Sequence, residues 1–477
     1  MPRPGLPGAQ YHPLDKDQLQ QIHEASLVVL ARTGVYVENE EALALYRKGG
    51  AHIDGRRVYL SAAMVEAALE VVPHKVVLAG RDPSQDLVLV SQRVYAGTGG
   101  SPTRIFDSTT DQVRPGTLRD LADLVRLADA LDHCDFVVIP LYPVDVPAPA
   151  VPVHRFYTAL TNTGKHIMGG TDSVAGARQV MDLGAAVAGG RQALRRRPFI
   201  STMTSWMVSP LKLDTEVTQI LIEWCRAGLP VALSSAPMAG STSPVTLAGT
   251  LVQLNAEQLS GIVLTQLVRP GTPVLAGYIP GLADMRGGGY VGGAVEFGMM
   301  QAAAAQLAHF YGVPIYASGG MTDSKLPDIQ AGFEKMATLL LAAMGGCNYI
   351  HHAIGMLTNM DSVSLEQAVI DDEIAAMVQR VLSGIAVTET SMAVDAIDRV
   401  GPGGHFLMDA HTREFMRSEV FFPLVADRQN RPVWEAAGRQ DARTRARARV
   451  EKLLAEHEPP GLPAEVDAEI RRRFDLR

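Results

Sequence analysis

Hydrophobic positions change their spacing several times along the chain. From Asp15, Leu19, Ile22, Leu27 and Leu30 recur at helical spacing, and a second short helix is predicted over 39–48. The run 51–60 reads as strand around the Asp54-Gly55 turn, and Ser61 is placed to cap a helix over 61–71. Two short β-like runs, 76–78 and 87–90, flank a polar turn, and the Pro/Gly-rich residues 1–13 read as an arm. Beyond residue 90 the pattern becomes regular. VYAGTG (94–99), FVVIP (136–140), KHIMGG (165–170), FISTMT (199–204) and PVALSS (230–235) are β-like, followed by PVLAGY (273–278), PIYASGG (314–320) and CNYIHH (347–352). Helical patterns intervene at 118–131, 175–187, 215–227, 256–268, 294–311 and 333–344. Strands alternating with helices call for a parallel sheet, and eight unbroken units favour a (β/α)8 TIM barrel over an open sheet. The predicted organisation is an N-terminal arm and small α/β extension (1–90), the barrel (91–385) and a C-terminal helical extension (386–477). In the extension, the arginines of 443–449 read as a solvated helix face.

Composition narrows the function. The net charge of −8 offers nothing to a phosphate backbone, so nucleic acid is not an expected partner. No apolar run reaches the roughly 18–20 residues of a membrane span, and the N-terminus has no secretory pattern. Cys134, Cys225 and Cys347 are odd in number and widely separated, which argues against disulfides and for a cytoplasmic location. They form no CxxC, so no metal site is expected.

A barrel carries its chemistry at the C-terminal ends of its strands. Those ends are rich in Gly, Ser, Thr, Pro and Met and poor in ionisable groups. Candidates there are Asp172, Lys212, Asp284, Arg286, Asp323, Lys325, His351 and His352. No HExxH or Gly-x-Ser-x-Gly motif is present. Gly287, Gly289 and Gly292 match Gly-x-Gly-x-x-Gly without the strand-turn-helix setting of a dinucleotide site, and suit a flexible lid or a loop that a flat ligand can approach. Tyr95, Tyr142, Trp206, Tyr278, Tyr316 and Tyr349 all fall within or just after a predicted strand. If several converged they would form a cation–π box for a methylated ammonium ion; singly, each reads first as a core residue.

The blocks GGMTDSKLPDIQAGFEK (319–335), GCNYIHHAIGML (346–357), VIDDEI (369–374) and GPGGHFLMDAHTREFMRSE (401–419) resemble the trimethylamine methyltransferase (MttB-like) superfamily. The resemblance runs from about Asp15 to the final helix. It implies a barrel that moves a methyl group from a methylated amine to the cobalt of a partner corrinoid protein, with no tightly bound cofactor of its own. Founding members carry pyrrolysine and this chain has none; the matching neighbourhood is placed near Gly319–Thr322. It therefore resembles the non-pyrrolysine branch, which implies a quaternary amine such as glycine betaine. On this reading Tyr95, Tyr142, Trp206, Tyr278 and Tyr316 hold the cation. His351, His352, Asp323 and Lys325 complete the substrate site, with His351, Gly319 and Gly320 as positioning groups. Arg286, Gly287, Gly288 and Gly289 face the corrinoid. Asp371, Asp372 and Glu373 are expected on a helix face or at an oligomer contact, and a homo-oligomer is expected. Competing readings are a tertiary-amine demethylase, a lyase using Asp323 or Lys325, and a silent betaine-binding barrel.

Overall fold

Eight parallel strands follow one another around the central sheet of the computed structural model, which describes residues 5–476. They are β1 (Arg93–Thr98), β2 (Val137–Val138), β3 (Ile167–Met168), β4 (Ile200–Thr204), β5 (Val231–Ser235), β6 (Val274–Tyr278), β7 (Ile315–Ser318) and β8 (Tyr349–Ile354). Each pairs in parallel with the next, and β8 returns to β1. Between β1 and β2 the contact is one parallel bridge, Gly97 to Phe136, beside a 2.7 Å bond from the Asp135 N–H to the Ala96 carbonyl. The architecture is thus α/β, with a mostly parallel, TIM-barrel-like central sheet.

A long helix follows each strand, with a further short one, Arg191–Arg196, after the third: α1 (Leu118–Ala130), α2 (Val151–Asn162), α3 (Val174–Ala188), α4 (Thr215–Ala227), α5 (Leu247–Val268), α6 (Val295–Phe310), α7 (Ile329–Gly345) and α8 (Leu365–Leu382). Side-chain N-caps start most of them: Thr117, Ser173, Asp214, Asp328 and Ser364 each accept from the N3 backbone N–H. The hydrophobic pattern does not announce α2, because the proline-rich stretch before it masks its start; Pro152 occupies the first turn, where no N–H is required. Helix α5 begins at Leu247, ahead of the predicted 256, and is buried on nearly every side. Its outer face is covered by the N-terminal helices Lys16–Arg32 and Ala62–Val71.

The first ninety residues are woven into the central sheet and its helix layer. Leu6–Pro7 adds an antiparallel strand to β1, so part of the expected arm is packed; residues 1–4 lie outside the described residues. The hairpin Val76–Leu78/Leu87–Leu89 joins the inner core together with Tyr95, Phe136, Val138, Met168, Leu275, Tyr316 and Tyr349. It closes the N-terminal end of the strands, where the Tyr95 hydroxyl meets the Val88 backbone. Alternate strand residues such as Val137, Ile139, Ile167, Ile200, Val274, Ala276 and Ile350 face the helices instead.

The expected external acidic face of α8 is internal. Asp371 is fully buried against Lys335; Asp372 accepts from the backbone N–H and Nδ1 of His133; and Glu373 accepts the N–H groups of Leu424, Val425 and Ala426. The arginine helix Ala442–Glu456 is likewise docked, not simply solvated. Arg447 pairs with Glu366 at 3.2 Å, Arg445 bonds the Val425 carbonyl, and Arg443 pairs with Asp111. No helix among the described residues is long and apolar enough to cross a membrane.

Candidate active site

The C-terminal ends of the strands form a cup above an aromatic floor. Side chains of Phe136, Tyr349, Tyr316 and His351 stack across the barrel interior: Phe136 on Tyr349 at 3.5 Å between ring centroids, Tyr349 on Tyr316 at 5.7 Å, and Tyr316 on His351 at 4.0 Å. Above this layer the strands carry small or accessible residues. Met203 and Ser234 are half-buried and Ser205 and Ala236 exposed, whereas their outward neighbours Thr204, Trp206, Leu233 and Ser235 are buried.

His351 is held in one tautomer. Its Nδ1 lies 2.6 Å from the Ala317 carbonyl, which can only accept, so Nδ1 carries the proton and Nε2 keeps a lone pair. Burial pulls its pKa down to about 3 despite that hydrogen bond, so the ring is neutral. The Tyr316 hydroxyl donates to Met203 Sδ at 3.1 Å. His352 follows with φ +68°, where the β8–β1 register slips between Ile350 and Ile354. In a regular strand the two histidines would point to opposite faces; here their rings stand 3.7 Å apart. The His352 Nδ1 meets Ser318 Oγ at 2.8 Å, and its backbone and ring occupy the space a Cβ at Gly99 would need.

The other expected site residues divide by position. Tyr95 lies at the opposite end of the barrel, against the closing hairpin. Trp206 points into the helix layer, against Gly261 of α5, and Tyr278 does the same, its hydroxyl 2.8 Å from Asn255 Oδ1. Tyr316 is in the floor, but His351 covers a face of its ring. Tyr142 is at the rim, 2.9 Å from Asp172, with the Arg155 guanidinium 5.3 Å from its ring centroid. These five aromatics therefore do not converge into a cation box.

Asp323 accepts from the Gly292 and Gly293 N–H groups at 3.3 and 3.2 Å, tying the loop after β6 to that after β7. Lys325 is exposed and donates to the Asp323 carbonyl rather than to its carboxylate. Gly319 donates to the His351 carbonyl, and Gly320, at φ +66°, presses on Ala353 so closely that a Cβ would stand 2.7 Å from its Cα. Arg286 and Gly287–Gly289 form the exposed turn of the hairpin Gly281–Ala283/Tyr290–Val291, with open space around Gly288 and Gly289.

Three buried ionisable residues at this end escape sequence reasoning. Arg155 on α2 donates to the Leu141 carbonyl and Ser101 Oγ, and burial lowers its pKa to about 10. Glu257 on α5 gathers Ser235, Ser209, Gln253 and the Leu211 N–H, and burial raises its pKa. Lys335 on α7 donates to the Gly320 carbonyl at 2.6 Å and the Met356 carbonyl at 3.0 Å, and stands 3.1 Å from Asp371. Lys335 had a signal: it falls on the apolar stripe of α7 with Ala331, Thr338, Leu339 and Ala342. No group of three or more His, Cys, Asp or Glu among the described residues could hold a metal ion.

Buried histidines set an acid limit on stability. Burial lowers His166 to about 4 and His351 to about 3, and His352 well below 6.5. Between those values and 6.5 the unfolded imidazoles bind protons that the folded ones do not. Their stabilisation is full above pH 6.5 and lost as pH falls toward 3. For His133, by contrast, burial is opposed by the Asp372 hydrogen bond and by the charges of Asp372, Asp132 and Asp135, which together raise the pKa, so its share grows on acidification. The expected net result is a denaturant midpoint that falls steadily from pH 7 to pH 4; a midpoint constant over that range would contradict it.

Fold and site together define a TIM-barrel-like α/β enzyme scaffold, with a small-residue cup at the C-terminal ends of its strands over a histidine-capped aromatic floor. The chain belongs to the trimethylamine methyltransferase (MTTB) family, whose sequence model matches residues 3–477. It is 38% identical to trimethylamine methyltransferase MttB of Desulfitobacterium hafniense, over 95% of this chain and 92% of that one. It is 35% identical to a glycine betaine methyltransferase of the same species (97% and 96% covered), and 36% identical to MttB of Methanosarcina barkeri (98% and 96%). Among solved structures, dihydropteroate synthase of Thermus thermophilus aligns at TM-score 0.36 and 14% identity, covering 63% of this chain and 98% of that one.

Proposed function

We propose that the protein moves a methyl group from a methylated amine to a corrinoid carried by a partner protein. Membership of the methyltransferase family over nearly the whole chain is the observation that carries this reading. On this proposal the sheet is a closed (β/α)8 barrel, as the Gly97–Phe136 bridge supports, and the cup is the amine site. Methyl transfer needs little covalent chemistry from the protein. The carbon–nitrogen bond breaks with its electron pair staying on nitrogen, and a docked corrinoid supplies the nucleophile. The chain's own task is to hold the cation, aim one methyl outward and exclude water. His351 Nε2 and Met203 Sδ present lone-pair acceptors to a cation above the floor. The open turn at Gly288–Gly289 suits the approach of a flat macrocycle.

The names of the relatives back trimethylamine better than the quaternary amine that the sequence resemblance put first. A specific observation keeps glycine betaine as a second reading: Arg155 is buried beside the rim and makes no ion pair among the described residues, which leaves a cation for a substrate carboxylate. The test is to supply reduced corrinoid protein and follow cobalt absorbance with trimethylamine, dimethylamine and glycine betaine in turn. Methyl-cobalt should form with at least one of them. Turnover of glycine betaine alone would decide for the second reading, and no methyl-cobalt with any amine would overturn the proposal.

A further inference from the structure

We propose that a cavity between α3, α4 and the short helix Arg191–Arg196 is a binding site for a small phosphorylated compound, separate from the amine cup. Its volume is about 400 Å³, inside the roughly 300–1,000 Å³ of small-molecule sites. It lies at the other end of the sheet from the cup, because α4 finishes here and Leu229 leads into the start of β5. The floor is apolar, with Leu194 and Leu229 buried in it. The wall is basic. Arg178, Arg191, Arg195 and Arg226 line it against two acids, Asp182 and Glu223, a surplus of positive charge on a chain whose net charge is −8.

Both acids are already matched. Glu223 accepts Nε and Nη2 of Arg178 at 3.1 Å and pairs with Arg226 Nη1 at 3.3 Å, and Asp182 pairs with Arg191 at 2.6 Å. Arg195 is left without a carboxylate among the described residues; its Nε donates to the Ala227 carbonyl at 3.2 Å, and neither Nη group makes a hydrogen bond among them. Arg269, directly after α5, is in the same state, with Nη1 donating to the Arg226 carbonyl at 3.3 Å. The two arginines converge over Gly228, the left-handed cap of α4: a Cβ there would stand 3.2 Å from Arg195 Nε and 2.6 Å from Arg269 Nη1. Two guanidinium groups side by side with no acid between them repel each other, and a bound anion removes that repulsion. Each spends one N–H on a carbonyl at the end of α4, where a cation is favoured, and keeps its other donors for a ligand.

Charge and size select the ligand class. Arginines bind phosphoryl oxygens through paired, charge-assisted hydrogen bonds, and several around one cavity suit a compact group with more than one negative charge. A single carboxylate would leave part of the surplus unmatched. A polynucleotide is excluded by the size of the cavity and by the acidity of the chain around it. The phosphoryl group is assigned to the arginine wall, and the apolar floor is free to take the body of an ester. An inorganic diphosphate shares the same chemistry without needing the floor.

Calorimetric titration of the full chain with pyrophosphate and, separately, with ADP tests this at about 0.15 M ionic strength, where distant charges are screened. At least one of them should bind with Kd below about 1 mM. Equal affinities would assign the site to the inorganic anion, and tighter ADP binding would assign it to an ester. The double substitution Arg195→Ala/Arg269→Ala breaks no ion pair and should weaken binding at least about 10-fold, the scale of one lost charge-assisted hydrogen bond. In the unsubstituted chain the bound anion should slow hydrogen exchange across 191–197 and 226–229 and leave the strand ends of the cup unchanged. Failure of both anions to bind would overturn the proposal. So would binding that the double variant leaves intact, or protection that appears at the cup instead.

Discussion

Replacing Lys335 with methionine is expected to cost about 3–5 kcal/mol, the range for removing one partner of a buried ion pair. The ammonium is fully buried, and three acceptors surround Nζ: the Gly320 and Met356 carbonyls and Asp371 Oδ2. Three acceptors match the three donors of an ammonium. Asp371 also accepts the Gly355 N–H at 2.7 Å and the Gln367 amide at 2.8 Å. The pair thereby fastens the end of β7 to the turn after β8, the two segments that flank His351 and His352. Burial lowers the Lys335 pKa, and Asp371 opposes that shift. Methionine fills similar volume, so the loss comes from leaving Asp371 without its counter-charge and two carbonyls without their donor, not from a cavity. The double variant Lys335→Met/Asp371→Leu should recover only part of the loss, because Gly320 O, Met356 O and the Gly355 N–H remain unpaired. Urea midpoints of the three proteins test this. A single variant within about 1 kcal/mol of the wild type would show the pair to be dispensable, contrary to the usual cost of stranding a buried charge.

Why the sequence reveals Lys335 only faintly, and the alternating strands and helices so clearly, follows from what each leaves in the pattern. Eight β-like runs separated by helical ones need only local periodicity, and all eight recur as strands in the predicted order. Direction within a strand is another matter. A parallel strand buried on both faces reads as a continuous apolar run, so VLAGY does not disclose that Leu275 points inward and Tyr278 outward. That is why Tyr278 and Trp206 are legible as strand-end aromatics but not as parts of the helix layer. Tyr95 does point inward, but to the end closed by a hairpin whose docking depends on contacts distant in sequence. His351 and His352 illustrate a further limit. Their shared environment depends on a positive φ and a register slip, which two adjacent histidines do not signal. Asp371, Asp372 and Glu373 look like a solvated face because three adjacent acids usually are one. Their partners, Lys335, His133 and the 424–426 backbone, come from three separate parts of the chain.

The His351→Phe variant is expected to slow methyl transfer about 100-fold, the scale set by a misplaced reacting group. Phenylalanine preserves the stack on Tyr316 and removes both nitrogens, so the aromatic floor is retained while its acceptor is lost. The Ala317 carbonyl loses its donor, which costs about 1–3 kcal/mol of stability, and the folded protein should still be isolated. Loss of an acceptor that orients the amine should appear in single-turnover rate at saturating amine as well as in apparent affinity. Substitution of a purely structural histidine would lower the denaturant midpoint and leave the saturated rate unchanged, and that outcome would remove His351 from the site. A pH profile supplies an independent readout. With its pKa pulled down to about 3, His351 holds no titrating proton between pH 5 and 8, so the wild-type transfer step should show no break from this ring in that range. If wild type shows a break near pH 6.5 that His351→Phe abolishes, the imidazole is protonated during turnover. Its role would then be that of an acid at the nitrogen, as a tertiary amine requires, rather than a neutral acceptor above the floor.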